Sequence, residues 1–474
     1  MNLELNIEQY GDLDRKERKK IEKDLQKKYN DKNIRVYGTK YLNQKKSVTR
    51  KMKRQLHEEV NILEELLKIQ NQYFPELPKM FKKMTDIRNP KKTTYKDLDV
   101  FMISKLLGFC SGINTNKGLT DDFKTIEAVS NINNILNTDY EDIPHYDTID
   151  DVFKNIKTEE LESIQTFMIK KLIRSKLLDK FRYNGYFQII IDATMLYSTR
   201  RDLGKFATTK TFKKETEEEY TLYGYYVLEA KLVCGNYVFS FATEFVENAT
   251  LNSEEEKQDC ELKAAYRLLK KIRKRFPKMP FIISGDALYA SKKFMDFSTS
   301  LEYEYIIRYK KGSMSTIMEE FERITKVVID HYEYVNNLGY GSGTKKSEGV
   351  TNVIRYAHDD EDFMFITSFK IDNKNYKDMM ALGRNRWMIE NEGFNEQKNG
   401  VLEISHKFSE DYNVTKVNYL LMQFAHTLLT LLNHGDVLVK RLRETKKRVS
   451  YLLKILLTHT HILNQTNQIQ LRLT

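Results

Sequence analysis

Asp192 closes the apolar run Tyr186-Phe-Gln-Ile-Ile-Ile-Asp, and Asp286 closes a second, Met279-Pro-Phe-Ile-Ile-Ser-Gly-Asp. Continuous apolar runs of this length suit strands buried on both faces. If the two strands lie parallel, the carboxylates at their C-terminal ends come together, and two hard oxygen ligands on a rigid sheet are what Mg²⁺ chemistry on phosphates requires. One aspartate after an apolar strand is ordinarily a turn or helix-cap residue, so the pair gains weight only with a third acid. The segment Gly383-Arg-Asn-Arg-Trp-Met-Ile-Glu-Asn-Glu-Gly-Phe-Asn-Glu-Gln-Lys supplies one. On a helix, Arg386 and Glu390 share a face, so the guanidinium steadies the carboxylate and also reaches a phosphate. Glu392 lies about 200° round from Glu390; both serve one site only if the helix distorts, which Gly393 permits, and Glu390 is the candidate. Taken alone, the same stretch would read as a surface helix with ordinary ion pairing.

Further residues flank these. Thr194 either orients the Asp192 carboxylate or ends its strand. Tyr197, Arg200 and Arg201 follow in an expected loop beside the site, where the arginines suit phosphate contacts. Trp387, the chain's one tryptophan, is expected to pack in the core beside the third acid. His406 and His426 have no partner at metal-ligand spacing and read as structural.

The elements that must carry these residues follow from periodicity. Helical patterns run through Leu98 to Leu107, Thr125 to Leu136 and Thr158 to Lys180. After the first apolar strand, Tyr220 to Val233 and Tyr237 to Val246 form a hairpin about the Gly235-Asn236 turn. A charged helix (Ser253 to Arg275), the second strand, a short helix (Ala290 to Phe297) and the strand Tyr303 to Tyr309 complete a β-β-β-α-β-α-β order. Thr325 to Phe369 is strand-like, with turns at Asn336-Asn-Leu-Gly and Gly341-Ser-Gly, and breaks the alternation as an inserted β subdomain. Helices return at Met379 to Gly393, Val414 to Leu432 and Val437 to Leu457.

On these residues the chain resembles the DDE transposases of bacterial insertion sequences. Asp192 in IIIDAT, Asp286 in ISGDALYA and Glu390 in RWMIENEGFNEQKN match the three acids in order, over roughly residues 180 to 435. The third motif is similar to the Tyr-x2-Arg-x3-Glu-x6-Lys (YREK) branch. Its arginine falls on Arg386, its tyrosine on Gly383 and its lysine on Gln397, with Lys398 one step later. The resemblance implies an α/β fold with an RNase H-like mixed-sheet core and a β insertion between the second Asp and the Glu. It implies Asp192, Asp286 and Glu390 as catalytic residues and ligands of two Mg²⁺ ions, with Mn²⁺ able to substitute, and Arg386, Lys398, Arg200 and Arg201 as DNA contacts. The implied reaction is cleavage at the element's ends followed by strand transfer into target DNA, with no covalent protein–DNA intermediate. The implied partners are double-stranded DNA (terminal inverted repeats and target) and a second copy, as a homodimer on DNA. Two other classes remain open: a transposase-derived sequence-specific DNA-binding protein without catalysis, and a Mg²⁺ nuclease without strand transfer.

Composition bounds the rest. At 474 residues a single small module is excluded. The expected division is a helical DNA-binding and dimerisation region over 1–180, a catalytic core over 181–310 and 372–435, the β insertion over 311–371, and a helical tail over 436–474. The net charge of +11 favours a polyanionic partner, although a lysine- and asparagine-rich composition of the kind an AT-rich genome produces would raise it too. Basic runs at Arg15 to Lys20 and Lys45 to Arg54 are the candidate grips on DNA. The three cysteines are too few for a disulfide framework or zinc cluster. No stretch has the length and apolarity of a membrane span, and no signal segment opens the chain. A cytoplasmic, nucleoid-associated bacterial protein without membrane contact is expected.

Overall fold

A strand that is apolar on both of its faces must be covered on both, and Phe187, Ile189, Ile190 and Ile191 are at most 1% exposed. They open the central strand of a ten-stranded mixed sheet in the computed structural model, which describes residues 15–29, 62–213, 216, 218–248, 259–310, 312–340, 349–434 and 446–459. In chain order the strands are β1 (Phe187–Thr199), β2 (Thr208–Phe212), β3 (Tyr220–Cys234), β4 (Tyr237–Val246), β5 (Phe281–Gly285), β6 (Glu304–Tyr309), β7 (Val327–Ile329), β8 (Tyr332–Gly339), β9 (Val350–His358) and β10 (Glu361–Thr367). β1 pairs antiparallel with β3 and parallel with β5; β5 in turn pairs parallel with β6. β4 folds back on β3 about Gly235, whose φ of 62° suits the tight turn. The order β4-β3-β1-β5-β6 is the expected RNase H-like arrangement.

Two features differ from expectation. β1 does not end at Asp192; it runs seven residues further, because β3 goes on pairing with it as far as Thr199↔Tyr223 after the pairing with β5 has stopped at Ile190↔Ser284. Loss of the apolar run marks the end of two-sided burial, not of the strand. β2, Thr-Thr-Lys-Thr-Phe, is a partly exposed strand with no apolar signature, and it pairs with the outer end of β3. The Thr325 to Phe369 segment is strand-rich as read, and it continues the main sheet: β10 pairs antiparallel with β6, and β9, β8 and β7 follow outward.

The backbone divides into two compact units, Thr158–Thr430 and Met1–Lys157 with Leu431–Thr474. The described part of the latter is helical. Every residue of the Asp99–Cys110 helix is buried, and the fully buried Lys105 donates to the Asn114 carbonyl at 2.8 Å. The Lys446–His459 helix closes this unit, with Asn131 donating to the Leu457 carbonyl at 2.9 Å and Lys454 paired with Asp122. The basic run Arg15 to Lys20 begins the Arg15–Tyr29 helix; Lys45 to Arg54 lies outside the described residues, as does the start of the expected helix from Val437.

In the larger unit a buried polar cluster joins the sheet to the late helices. Lys231 on β3 has no exposed side-chain surface; its Nζ lies 3.4 Å from Glu229 Oε2 and donates to Gln423 Oε1 at 2.7 Å. Gln423 also accepts from Gln397 at 2.9 Å, and Ser240 donates to Glu229 at 2.7 Å. Removing one member of a buried pair strands the other charge, which costs about 3–5 kcal/mol. Lys231→Met is therefore expected to lower stability by that order in urea titrations, and Glu229→Gln in the same chain to recover much of the loss.

Candidate active site

Asp192 and Asp286 are brought side by side by register. The β1–β5 pairing, carried two residues past its last rung at Ile190↔Ser284, sets 192 opposite 286. Asp286 directly follows β5, and its Oδ1 accepts from the Leu288 N–H at 2.9 Å, capping the short turn Ala287–Tyr289. Gly285 before it has no room for a side chain: a Cβ there would stand 2.5 Å from the Tyr289 ring.

The third acid is held against the same sheet by Gln188, four residues before Asp192. The buried Gln188 donates to Ser284 at 2.8 Å and to the Leu382 carbonyl at 2.7 Å, and accepts from Asn385 at 2.8 Å. Leu382 and Asn385 end the Tyr376–Arg384 helix, so these bonds lock the approach to Arg386. Arg386 then donates to Glu390 Oε1 at 2.5 Å, the expected pair.

From Ile389 to Asn395 the backbone is a π-helix, followed by a short α-helix, Glu396–Asn399. A π-turn accommodates one extra residue. On a regular α-helix Lys398 would be turned about 80° from the face of a residue seven after Glu390; the wide turn takes up the surplus and returns Lys398 to that face. Gln397 is buried in the Lys231 cluster instead. Gly383 has no room for a ring, since a Cβ there would meet Phe365 at 2.7 Å.

The electrostatics show which groups gather. Burial pushes the Asp192 carboxyl up to about 7, reinforced in turn by the carboxylates of Glu261 and Asp286 and, after the opposing Ala193 N–H, by Glu390. Burial pushes the Lys398 ammonium down, and the Asp192 carboxylate opposes that shift. Asp192, Asp286, Glu390, Arg386 and Lys398 therefore belong to one neighbourhood. Arg200 and Arg201 do not: they follow the end of β1 at Thr199, eight and nine residues and up to about 26 Å along the strand direction from Asp192. There Arg200 lies over the Tyr220 ring at 4.5 Å and Arg201 pairs with Glu410 at 3.6 Å. Thr194 and Tyr197 are strand residues, and the buried Thr194 hydroxyl has no hydrogen-bond partner.

Trp387 is 37% exposed, edge-on to Phe363 at 5.2 Å, so it is a surface ring and not the core residue expected. Arg384 lies over both rings, and Arg308 lies over Phe363. Sequence reasoning missed Arg308, Arg384, Glu261 and Tyr289. Glu261 is the first residue of the Glu261–Arg275 helix, and Tyr289 donates to its Oε1 at 2.6 Å. A tyrosine three residues after Asp286 was visible; where that helix begins in space was not.

Among the described residues no three carboxylates, imidazoles or thiols converge closely enough to grip an ion as they stand. The donor set nonetheless suits a divalent cation: the carboxylates of Glu261, Asp286 and Glu390 oppose the ionisation of a half-buried aspartate, and a cation is what relieves that opposition.

The model of the Transposase DDE domain family matches residues 185–428, just over half of the chain. The chain belongs to this family of transposases. Among solved structures it is similar to a piggyBac transposase, seen by cryo-electron microscopy as a synaptic complex with hairpin DNA. That match has 10% identity and a TM-score of 0.45, covering 85% of this chain and 81% of that one. No curated protein sequence matches significantly.

The raised Asp192 carboxyl has a signed consequence. Stability linked to it is fully present below the usual carboxylate range and is lost as pH rises through about 7. In metal chelator at pH 8, Asp192→Asn should therefore melt a few degrees above the parent protein, and the difference should shrink at pH 5, where Asp192 is already protonated. Melting curves at the two pH values check this.

Proposed function

We propose that the chain is a transposase of the YREK branch that cuts DNA at the ends of its element and joins them to target DNA, using Asp192, Asp286 and Glu390 as catalytic metal ligands. The observation that carries this reading is the convergence on Asp192 of charge from Asp286, Glu390 and Lys398, which come from separate parts of the chain. Two Mg²⁺ ions, or Mn²⁺ in their place, would supply Lewis-acid activation of the attacking oxygen and stabilisation of the leaving one. The chain's own residues do the rest. The sheet holds Asp192 and Asp286 at a fixed spacing. Arg386 steadies Glu390 until a stronger cation competes for it, and is then placed to meet a phosphate. Lys398, returned to the acidic face by the π-turn, places a cation on the side where a scissile phosphate would lie.

The finer readings join this proposal. Arg200 and Arg201, exposed at the far end of β1, would contact the DNA backbone away from the chemistry. The helical first region would recognise the terminal inverted repeats, two copies would act as a homodimer on double-stranded DNA, and the protein would work in the cytoplasm on the bacterial nucleoid. No helix of the described residues is long and apolar enough to cross a membrane.

The test uses purified protein, DNA carrying the terminal repeats, and Mg²⁺. Cutting at the repeat boundary and a target-joined product are expected. Asp192→Asn, Asp286→Asn and Glu390→Gln should each reduce cutting by at least about 10³-fold while binding to the repeats persists. Normal cutting by all three variants overturns the reading. Cutting without a joined product makes the protein a nuclease, and repeat binding without cutting makes it a DNA-binding derivative.

A second prediction concerns the cation. Lys398→Met should weaken binding of the cleaved end and flatten its salt dependence by about one counterion, whereas Gln397→Met should leave that slope unchanged.

A further inference from the structure

We infer that Glu261 is a fourth carboxylate of the metal site, oriented by the Tyr289 hydroxyl. The inference rests on reading Asp192 and Asp286 as cation ligands and extends that reading to a helix not assigned to the site.

Tyr289 ties Glu261 to the turn that carries Asp286. Its ring, fully buried, fills the space over Gly285, its backbone N–H donates to the Asp286 carbonyl at 3.2 Å, and its hydroxyl donates to Glu261 Oε1 at 2.6 Å. A buried tyrosine hydroxyl is satisfied by any neutral carbonyl. Here it instead fixes a negative charge beside two others, an arrangement that opposes folding until a cation neutralises it.

The other acids packed around the same helix are treated differently. Glu162 is paired with Lys271 and Arg275, Asp259 with Arg267, and Glu244 with both Arg267 and Lys271. Glu261 alone of these has no lysine or arginine partner among the described residues. A second observation is independent of the acids. Thr194 shares with Asp192 one face of β1, is 4% exposed, and its hydroxyl has no hydrogen-bond partner. A buried, unsatisfied oxygen beside the acids suits the water shell of a hydrated cation, which needs acceptors as well as charge. Attraction between Glu261 and its own helix N-terminus is the competing account; it predicts a loss of stability on neutralisation and no change in metal binding.

The deciding measurement is Mn²⁺ binding to the full-length protein, followed by electron paramagnetic resonance and calorimetry, for the parent, Glu261→Gln, Tyr289→Phe, Asp192→Asn and Asp286→Asn. Glu261→Gln is expected to weaken Mn²⁺ binding about 10-fold or more, with an unchanged or higher melting temperature in chelator. Tyr289→Phe should weaken it by a smaller factor. Parent-like Mn²⁺ binding by Glu261→Gln, while Asp192→Asn and Asp286→Asn lose it, overturns the inference and leaves the proposed function standing. Parent-like binding by the two aspartate variants overturns the site reading and this inference together. If Glu261→Gln does not fold, Tyr289→Phe decides, and unchanged Mn²⁺ binding in it overturns the inference.

Discussion

The crowding of like charge around Asp192 is the constraint on which the rest of this unit depends. Carboxylates repel, and burial removes the water that would screen them. Keeping Asp192, Asp286, Glu261 and Glu390 close together therefore requires a scaffold that does not relax. The sheet meets this with the start of β1 and β5 paired in register, both largely apolar and covered on both faces. Gln188 extends the same rigidity to the segment bearing Glu390, with both amide hydrogens and its carbonyl oxygen engaged by β5 and by the end of the Tyr376–Arg384 helix.

Cations are deployed at two depths. Lys231 lies wholly inside, matched to Glu229 and to amide oxygens, and anchors the backbone that leads out of the π-turn through Gln397. Arg386 and Lys398 lie nearer the surface, one paired with an acid and one only half-buried near another. The inner cation stabilises a shape; the outer two are in reach of a ligand. Adjacent residues on one helix, Gln397 and Lys398, serve these separate ends, and the π-turn before them decides which points where.

Much of this was legible before any coordinates. The two aspartates were marked by apolar runs that only two-sided burial explains, and Arg386 with Glu390 by their spacing of four. The hairpin was marked by Gly235-Asn236. Legibility failed where information is not local. The continuation of β1 past Asp192 depends on a partner strand some thirty residues later. β2 is held by pairing, with no apolar face to announce it. Glu261 opens a helix whose charge pattern looks like any solvated surface, and only the fold brings that end to the acids. Trp387 was misjudged because a large ring was assumed to seek the interior, whereas the edge-on ring of Phe363 and the Arg384 guanidinium cover it in part at the surface. The one-residue surplus before Lys398 was visible in the spacing, and its resolution lay in a backbone distortion that no propensity encodes.

The seam between β6 and β10 has a mechanical meaning. Four consecutive residue pairs, from Met364↔Tyr309 to Thr367↔Ile306, knit the insertion into the sheet that ends in Asp286. An appended lobe on a flexible stalk could swing over a bound duplex; a lobe grown out of the sheet behaves as a lever arm with no pivot. A push on β7–β10 would be passed through β6 to β5, so a load on the outer strands and the spacing of the two aspartates are parts of the same solid.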